Sequence, residues 1–139
     1  MTEKNNQNLI RRYYEKMWNR WDYALADEIL TNDISFRGSL GAEMRGREAF
    51  CGYMRSVEKA FPDFYNRIET LVVEGERAAA RLTYSGTHRG EIFGIRPAGT
   101  RINYAGAAFF RFAKGKVAEG WVLGDLIGLL RQLGAQKLP

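Results

Sequence analysis

The hydrophobic period of this sequence changes about halfway along the chain, and that change constrains the fold more than any other feature. Over the first sixty residues, apolar side chains recur every three or four positions, which is the period of an amphipathic helix. From about residue 66 onward they alternate every two positions, which is the period of a half-buried strand. Helices followed by a run of strands predict the α+β class, with the helices covering one face of a mainly antiparallel sheet.

Three helices are predicted in the first half of the chain. An apolar stripe containing Tyr14, Met17 and Trp18 predicts a helix over about 4–19. Asp22 is expected to cap a short second helix. A third helix is predicted to begin near Gly46 and to end before Pro62, because proline cannot continue a helix. A short strand is predicted between the second and third helices, at 33–37.

Four strands are predicted in the second half, near 66–74, 77–88, 101–112 and 116–123. The first two and the last two are joined by hairpin-length turns, so each of these pairs is expected to be antiparallel. The chain has 139 residues, 45% of them hydrophobic, and contains no linker or repeat, which predicts a single domain over 1–139. Aromatic helices on a curved sheet leave two alternatives open, a filled core or a ligand-sized pocket.

Cysteine and histidine are each present once, as Cys51 and His88. A single cysteine excludes an internal disulfide framework, and the pair together is too few for a zinc site built from Cys and His. Any catalysis therefore has to use carboxylates, Arg, Tyr, Asn and one imidazole. We expect neither a metal site nor another cofactor.

The net charge of +5 comes entirely from the second half of the chain. The basic residues there are spaced singly, and no run of four occurs, so nucleic-acid binding is not expected. No apolar run approaches the roughly 20 residues of a membrane span, and the N-terminus lacks the apolar stretch of a signal peptide. A free cysteine is typical of a reducing compartment, and we expect a cytoplasmic location with no membrane partner.

Motifs in both halves of the chain occur in the order typical of one protein family. In chain order they are Tyr13-Tyr14…Trp18-Asn19, Gly46-Arg47-Glu48-Ala49-Phe50, Ala60-Phe61-Pro62-Asp63, Gly86-Thr87-His88-Arg89-Gly90-Glu91, Gly94-Ile95-Arg96-Pro97-Ala98-Gly99, Trp121-Val122-Leu123-Gly124-Asp125 and Leu129-Leu130-Arg131-Gln132-Leu133-Gly134. With them the chain resembles the SnoaL-like polyketide cyclases, or ester cyclases, which belong to the superfamily of nuclear transport factor 2 and ketosteroid isomerase. The resemblance implies an NTF2-like cone, in which a strongly curved sheet packs on three N-terminal helices.

The resemblance also implies a function. The family's cyclases close a ring by a cofactor-free intramolecular aldol condensation, inside an apolar pocket and as homodimers. A cyclase or isomerase that uses acid/base catalysis α to a carbonyl, on a hydrophobic small molecule, is therefore the leading hypothesis. A fold reused this widely does not fix function, so the alternative is a non-catalytic ligand-binding or dimerisation module.

Asp125 is the predicted acid/base. Alternation places it with Trp121 and Leu123 on the large-residue face of the last strand, and if that face lines the cone, desolvation suits the carboxylate to move protons. The matching Asp of the family's cyclases has this role. The alternative is that Asp125 caps the short helical stripe that follows it. Both interpretations stay open in the sequence.

His88 and Arg37 are the other polar candidates. His88 continues the apolar face of its strand and would donate to a substrate carbonyl, or else tie the glycine-rich loop together. Arg37 stands where the family's cyclases tend to carry Asn or His. If it faces the cavity it favours an anionic or enolate-like group, and if it faces outward it is a solvated charge. The other predicted substrate contacts are aromatic: Tyr14, Trp18, Phe36, Tyr53 and Trp121.

A homodimer is expected through the outer faces of two sheets. Alternation along the last strand puts the small residues Ala118, Gly120 and Gly124 on the face opposite Trp121. If that small-residue face is the outer one, two sheets would approach each other closely there.

Overall fold

The computed structural model describes residues 2–137. Its helices are α1 (Glu3–Arg12), which continues into a π-helical segment (Tyr13–Trp18), a 3₁₀ turn (Tyr23–Leu25) that leads into α2 (Ala26–Ile29), α3 (Arg47–Ala60) and α4 (Leu126–Gln132). Its strands are β1 (Leu30–Arg37), β2 (Glu43–Arg45), β3 (Tyr65–Glu74), β4 (Arg77–Thr87), β5 (Arg101–Ala113) and β6 (Lys116–Gly124). None of these helices combines the length and apolar character needed to cross a membrane.

The strands form one curved sheet in the order β2-β1-β6-β5-β4-β3. All neighbours are antiparallel except β1 and β6, which run parallel. The helices that precede β3 in the chain cover the concave face, and the predicted α+β class is confirmed. The four strands predicted in the second half fall within about one residue of their observed bounds. β2 was not predicted, because three residues are too few to show an alternating pattern.

The π-helical segment that follows α1 carries the aromatic residues Tyr13, Tyr14 and Trp18. The amide of Asn19 donates to the carbonyl of Tyr14 (2.9 Å), and the amide of Asp22 donates to that of Met17 (3.0 Å). These bonds span five residues, so the turn is wider than an α-helical one, a feature frequent at functional sites. Asp22 occupies the predicted cap position, but its side chain makes no capping hydrogen bond.

A β-bulge interrupts the alternation of β6. Val117 pairs with Phe112 of β5, but the next pair joins Glu119 to Arg111, so Ala118 has no partner on the neighbouring strand. Both Val117 and Ala118 are buried. Because the bulge adds one residue, every side chain after it points to the face opposite to the one that strict alternation predicts.

The faces of β6 are therefore reversed relative to the sequence prediction. Trp121 and Leu123 point outward and are 43% and 53% exposed. A Cβ atom on Gly120 would lie 2.9 Å from the Phe36 ring, and one on Gly124 would lie 3.1 Å from the Tyr104 ring. The prediction that the large residues of this strand line the cone is wrong, and so is the prediction that its small residues lie outside.

Asp63 joins the ends of β4 and β5. Its carboxylate accepts hydrogen bonds from the amide and hydroxyl of Thr87 (2.6 and 2.7 Å) and from the guanidinium of Arg101 (2.8 Å). Partial burial acts to raise the pKa of Asp63, but the Thr87 hydrogen bonds and the Arg101 charge outweigh it and hold that pKa below its usual value.

This contact predicts how stability changes in acid. A carboxyl whose pKa is lowered by folding contributes stability above its unfolded pKa of about 3.9, and that contribution is lost as the pH falls through the lower folded value. We expect the Tm of the wild-type protein to fall more steeply below about pH 5 than the Tm of Asp63→Asn. Thermal unfolding followed by circular dichroism checks this, with Asp33→Asn, at an exposed strand position, as the control. Parallel Tm curves for Asp63→Asn and wild type would contradict it.

Candidate functional site

A small cavity lies inside the cone, between the aromatic helices and the concave face of the sheet. Its volume is about 20 Å³, which is room for roughly one water molecule. The lining residues are Tyr13, Tyr14, Trp18, Phe36, Ser39, Tyr53, Val57, Phe64, Asn66, Tyr84 and Val122. The π-helical segment, β1, α3 and the inner faces of β3, β4 and β6 all contribute to it.

Four of the predicted substrate contacts meet at this cavity: Tyr14, Trp18, Phe36 and Tyr53. Tyr14 and Trp18 come from the π-helical segment, Phe36 from β1 and Tyr53 from α3. The Trp18 ring lies 6.0 Å from that of Tyr53, and the Phe36 ring lies 5.8 Å from it. Their role in substrate binding stays a prediction.

Tyrosine hydroxyls are the most frequent polar groups around the cavity. Burial raises the pKa of Tyr13, Tyr14, Tyr53 and Tyr84, and the nearness of other phenols raises those of Tyr14 and Tyr84 further. These side chains therefore keep their protons at neutral pH and remain hydrogen-bond donors. Immediately behind the lining, the hydroxyl of Tyr104 lies 2.9 Å from that of Ser39.

Trp18 adds a donor that the protein does not use. The residue is 5% exposed, and its indole N–H has no hydrogen-bond partner. Burial raises the pKa of the Tyr13 hydroxyl, and the nearby indole offsets part of that rise, although the two groups do not have hydrogen-bond geometry. A buried donor without a partner costs free energy until an acceptor reaches it. A carbonyl oxygen within the cavity would be such an acceptor.

Asn66 is held in the cavity wall by Asn19. The side-chain oxygen of Asn19 accepts from both the amide N–H (2.8 Å) and the side-chain amide (2.9 Å) of Asn66. In return, the side-chain amide of Asn19 donates to the Asn66 carbonyl (3.0 Å). The Trp18-Asn19 motif thus links the π-helical segment to β3, which fixes one polar side of the cavity.

Asp125 is exposed at the N-cap of α4, and its carboxylate accepts a hydrogen bond from the amide of Gly128 at 2.9 Å. The capping alternative is confirmed by this bond. The carboxylate is not part of the cavity lining. Its assignment as the acid/base stays a prediction.

His88 lies on the inner side of the sheet, as the alternation of its strand predicts, but it is not part of the cavity lining. It is 1% exposed, its ring lies 5.9 Å from that of Phe61, and neither ring nitrogen has a hydrogen-bond partner. Its backbone bonds to Thr100 and Gly99, at 2.9 and 3.0 Å, tie the glycine-rich loop together. The loop is therefore held by the main chain of His88, and the role of the imidazole at a substrate carbonyl stays a prediction.

Arg37 and Trp121 lie on the outer face of the sheet. The guanidinium of Arg37 lies 5.2 Å from the centre of the Trp121 ring and donates to the carbonyl of Val122. Phe36 takes the inward position on β1, so Arg37 points outward. Alternation on β1 gives Arg37 the outward alternative, and the bulge in β6 turns Trp121 away from the cavity. The role of these two residues in substrate binding stays a prediction.

Several lining residues were not predicted from the sequence, chiefly Tyr13, Phe64, Asn66 and Tyr84. Alternation places Tyr84 on the apolar face of its strand, so the sequence pattern was sufficient to predict that this side chain faces the interior. Asn66 carries no such signal, because a lone Asn at the start of a strand is ordinary in a sequence. Among residues 2–137, no three side chains of the types that bind metals are grouped together.

Fold and cavity together define an NTF2-like cone with an aromatic, donor-rich interior. A family profile described as SnoaL-like polyketide cyclase matches residues 8–133. The chain therefore belongs to the SnoaL-like polyketide cyclase family. No curated protein sequence matches it.

Solved structures of similar proteins include TsrD from Streptomyces laurentii, which is 31% identical, covers 97% of this chain and 98% of its own, and has a TM-score of 0.86. AclR from Streptomyces galilaeus, provisionally named a hydroxylase, is also 31% identical, with coverages of 99% and 89% and a TM-score of 0.83. IdmH from Streptomyces antibioticus, provisionally named a polyketide cyclase, is 25% identical, with coverages of 93% and 98% and a TM-score of 0.80.

Proposed function

We propose that this protein binds a hydrophobic carbonyl compound inside the cone and acts as a cofactor-independent cyclase or isomerase. The observation that carries the proposal is the unpartnered indole N–H of Trp18, buried in the lining beside protonated tyrosines. Donors fixed in a dry site stabilise the negative charge that develops on a carbonyl oxygen when the α-carbon loses a proton. The cyclase name given to IdmH supports the same substrate chemistry.

Asp125 and His88 enter the proposal as the proton-transfer groups, on the pattern of the family. Asp125 would take the proton from the α-carbon, the donors would hold the enolate oxygen, and the proton would return when the new bond has formed. Neither side chain lines the cavity. That observation favours the second candidate, a ligand-binding module that does no chemistry.

Exchange of α-protons tests the leading candidate without knowledge of the natural substrate. The protein is incubated with β-tetralone, a hydrophobic ketone, in heavy water, and deuterium uptake at the α-carbon is followed by NMR. We expect faster exchange than in buffer, and about tenfold slower exchange with Tyr14→Phe, because one donor of several is lost. Tyr65→Phe, which removes an exposed hydroxyl, is the matched control. Binding of the ketone without faster exchange would favour the binding module.

The outer face of the sheet supports a homodimer, although through large residues and not small ones. Val72, Ala79, Phe109, Trp121 and Arg37 are paired across five adjacent strands in one row. In this row Phe109 is 52% exposed and Val72 59% exposed, and Leu123 lies beside it. An apolar stripe of this kind is typical of a contact surface, and a two-fold axis would pair it with itself. We propose that a second copy of the chain covers it.

We further propose that residues 1–139 act as one SnoaL-like domain in the cytoplasm. One sheet holds all the strands of residues 2–137, and the family profile spans most of the chain. The proposed location rests on the free thiol of Cys51, which is typical of a reducing compartment.

A further inference from the structure

The cavity is too small for the ligand that the proposed function requires. Sites for small organic molecules have volumes of about 300–1,000 Å³, whereas this cavity measures about 20 Å³. Protein interiors are packed too densely to yield such a volume by small shifts spread over many residues. At least one lining side chain therefore has to leave its place before a ligand enters.

Tyr53 is the lining residue best placed to leave. It is partly exposed, whereas every other lining residue is at most 9% exposed. Its hydroxyl accepts a long hydrogen bond from the amide of Leu40, at 3.4 Å, and lies near the Ser39 side chain. A bond of this length is near the limit of hydrogen bonding, so breaking it costs little.

Gly38 provides the space that Tyr53 occupies. A Cβ atom at position 38 would lie 2.2 Å from the Tyr53 hydroxyl oxygen and 2.3 Å from its Cζ atom, far inside van der Waals contact. The turn after β1 is closed by backbone bonds from Gly38 to Ala42 (2.9 Å) and from Gly41 to Gly38 (3.0 Å). The phenol ring therefore lies directly against the backbone of this turn and closes the cavity there.

The surroundings of Tyr53 decide the direction in which its ring can move. Inward, the ring meets Trp18 and Phe36, both of which are 5% exposed and packed in the core. Its partly exposed side meets solvent, so a ring pushed off Gly38 moves in that direction. We infer that Tyr53 is the gate through which a ligand reaches the cavity, and that Gly38 sets the closed position of that gate. The inference rests on the proposed function for the place where the ligand binds.

Adding one methyl group at position 38 tests the gate. The backbone of Gly38 is outside the left-handed region, so Gly38→Ala is free of backbone strain and acts on the Tyr53 ring. The probe is Prodan, a neutral fluorescent naphthyl ketone, and its association rate is measured by stopped-flow fluorescence. If the closed gate limits entry, we expect Gly38→Ala to raise the association rate about tenfold, because the open form is populated in advance.

Gly52→Ala is the matched control, because Gly52 lies in α3 one residue from Tyr53 and a Cβ atom there meets nothing within 4 Å. It should bind Prodan at the wild-type rate. Tyr53→Ala removes the ring itself and should raise the rate as Gly38→Ala does, and the double variant should gain no more than either single variant. Tyr53→Ala also tests the gate if Gly38→Ala fails to fold.

The outcomes separate the gate from the proposed function. Wild-type association rates in both Gly38→Ala and Tyr53→Ala, or additive effects in the double variant, would overturn the gate. Slower binding by Gly38→Ala would overturn it as well, since the ring would then have moved inward. Prodan binding that responds to the gate variants, without any acceleration of α-proton exchange, would leave the gate standing and remove the enzymatic proposal.

Discussion

Replacing Asp125 by Asn is expected to slow α-proton exchange by about 10²–10⁴-fold if this carboxylate is the acid/base. Asn has nearly the shape of Asp and caps a helix about as well, so the capping bond to Gly128 should persist. Folding and Prodan binding should therefore stay at wild-type values. Because only the proton-accepting ability is lost, a fall in the exchange rate alone would identify Asp125 as the proton-transfer group.

Replacing Asp125 by Ala is the companion measurement. Ala removes both the charge and the cap, and loss of an N-cap costs about 1 kcal/mol of stability. If Asp125 is only a cap, Asp125→Ala should show this loss in urea unfolding, while Asp125→Asn should match the wild type in both stability and exchange rate. That pair of results would remove Asp125 from the catalytic proposal.

Placing a charge on the outer face of the sheet should abolish the proposed dimer. Trp121→Glu would bury a carboxylate twice in a two-fold interface, since each copy contributes the same residue. If each buried carboxylate costs about 2 kcal/mol of binding free energy, the dissociation constant of the dimer should rise roughly 10³-fold. Sedimentation equilibrium at micromolar concentration checks this.

Phe93→Glu is the control for the dimer, because Phe93 is 46% exposed in the loop between β4 and β5 and not on the sheet. It should leave the association state unchanged. A wild-type chain that sediments as a monomer would refute the dimer directly, and equal weakening by both substitutions would indicate that the contact lies elsewhere.

The periodicity of the sequence was sufficient to predict the fold class and five of the six strands of residues 2–137, because β3 to β6 are each nine or more residues long and the strand predicted at 33–37 lies within β1. The same periodicity places Tyr14, Trp18, Phe36 and Tyr53 on inward-facing positions of their helix or strand, and all four line the cavity. These predictions depend on local pattern, which the chain carries in full.

The features that the sequence pattern did not reveal depend on details between neighbouring strands. Trp121 was assigned to the wrong face because a bulge is visible only in the pairing of β6 with β5. The position of His88, buried beside Phe61 and outside the cavity, depends on how the chain turns after β4. Asn66 was not predicted, because its partner Asn19 is 47 residues away and only the fold brings the two together.

The extra residue at Ala118 determines two surfaces at once. Before it, β6 pairs Val117 with Phe112; after it, glycine and valine face the interior, and Trp121 and Leu123 face the exterior. Deleting one residue there would shift the frame of the strand and exchange the two faces, so that an indole would enter the cone and Gly120 would replace it outside. An insertion or deletion of one residue in β6 therefore changes both the volume inside the cone and the apolar surface outside it. Neither can change in this way without the other.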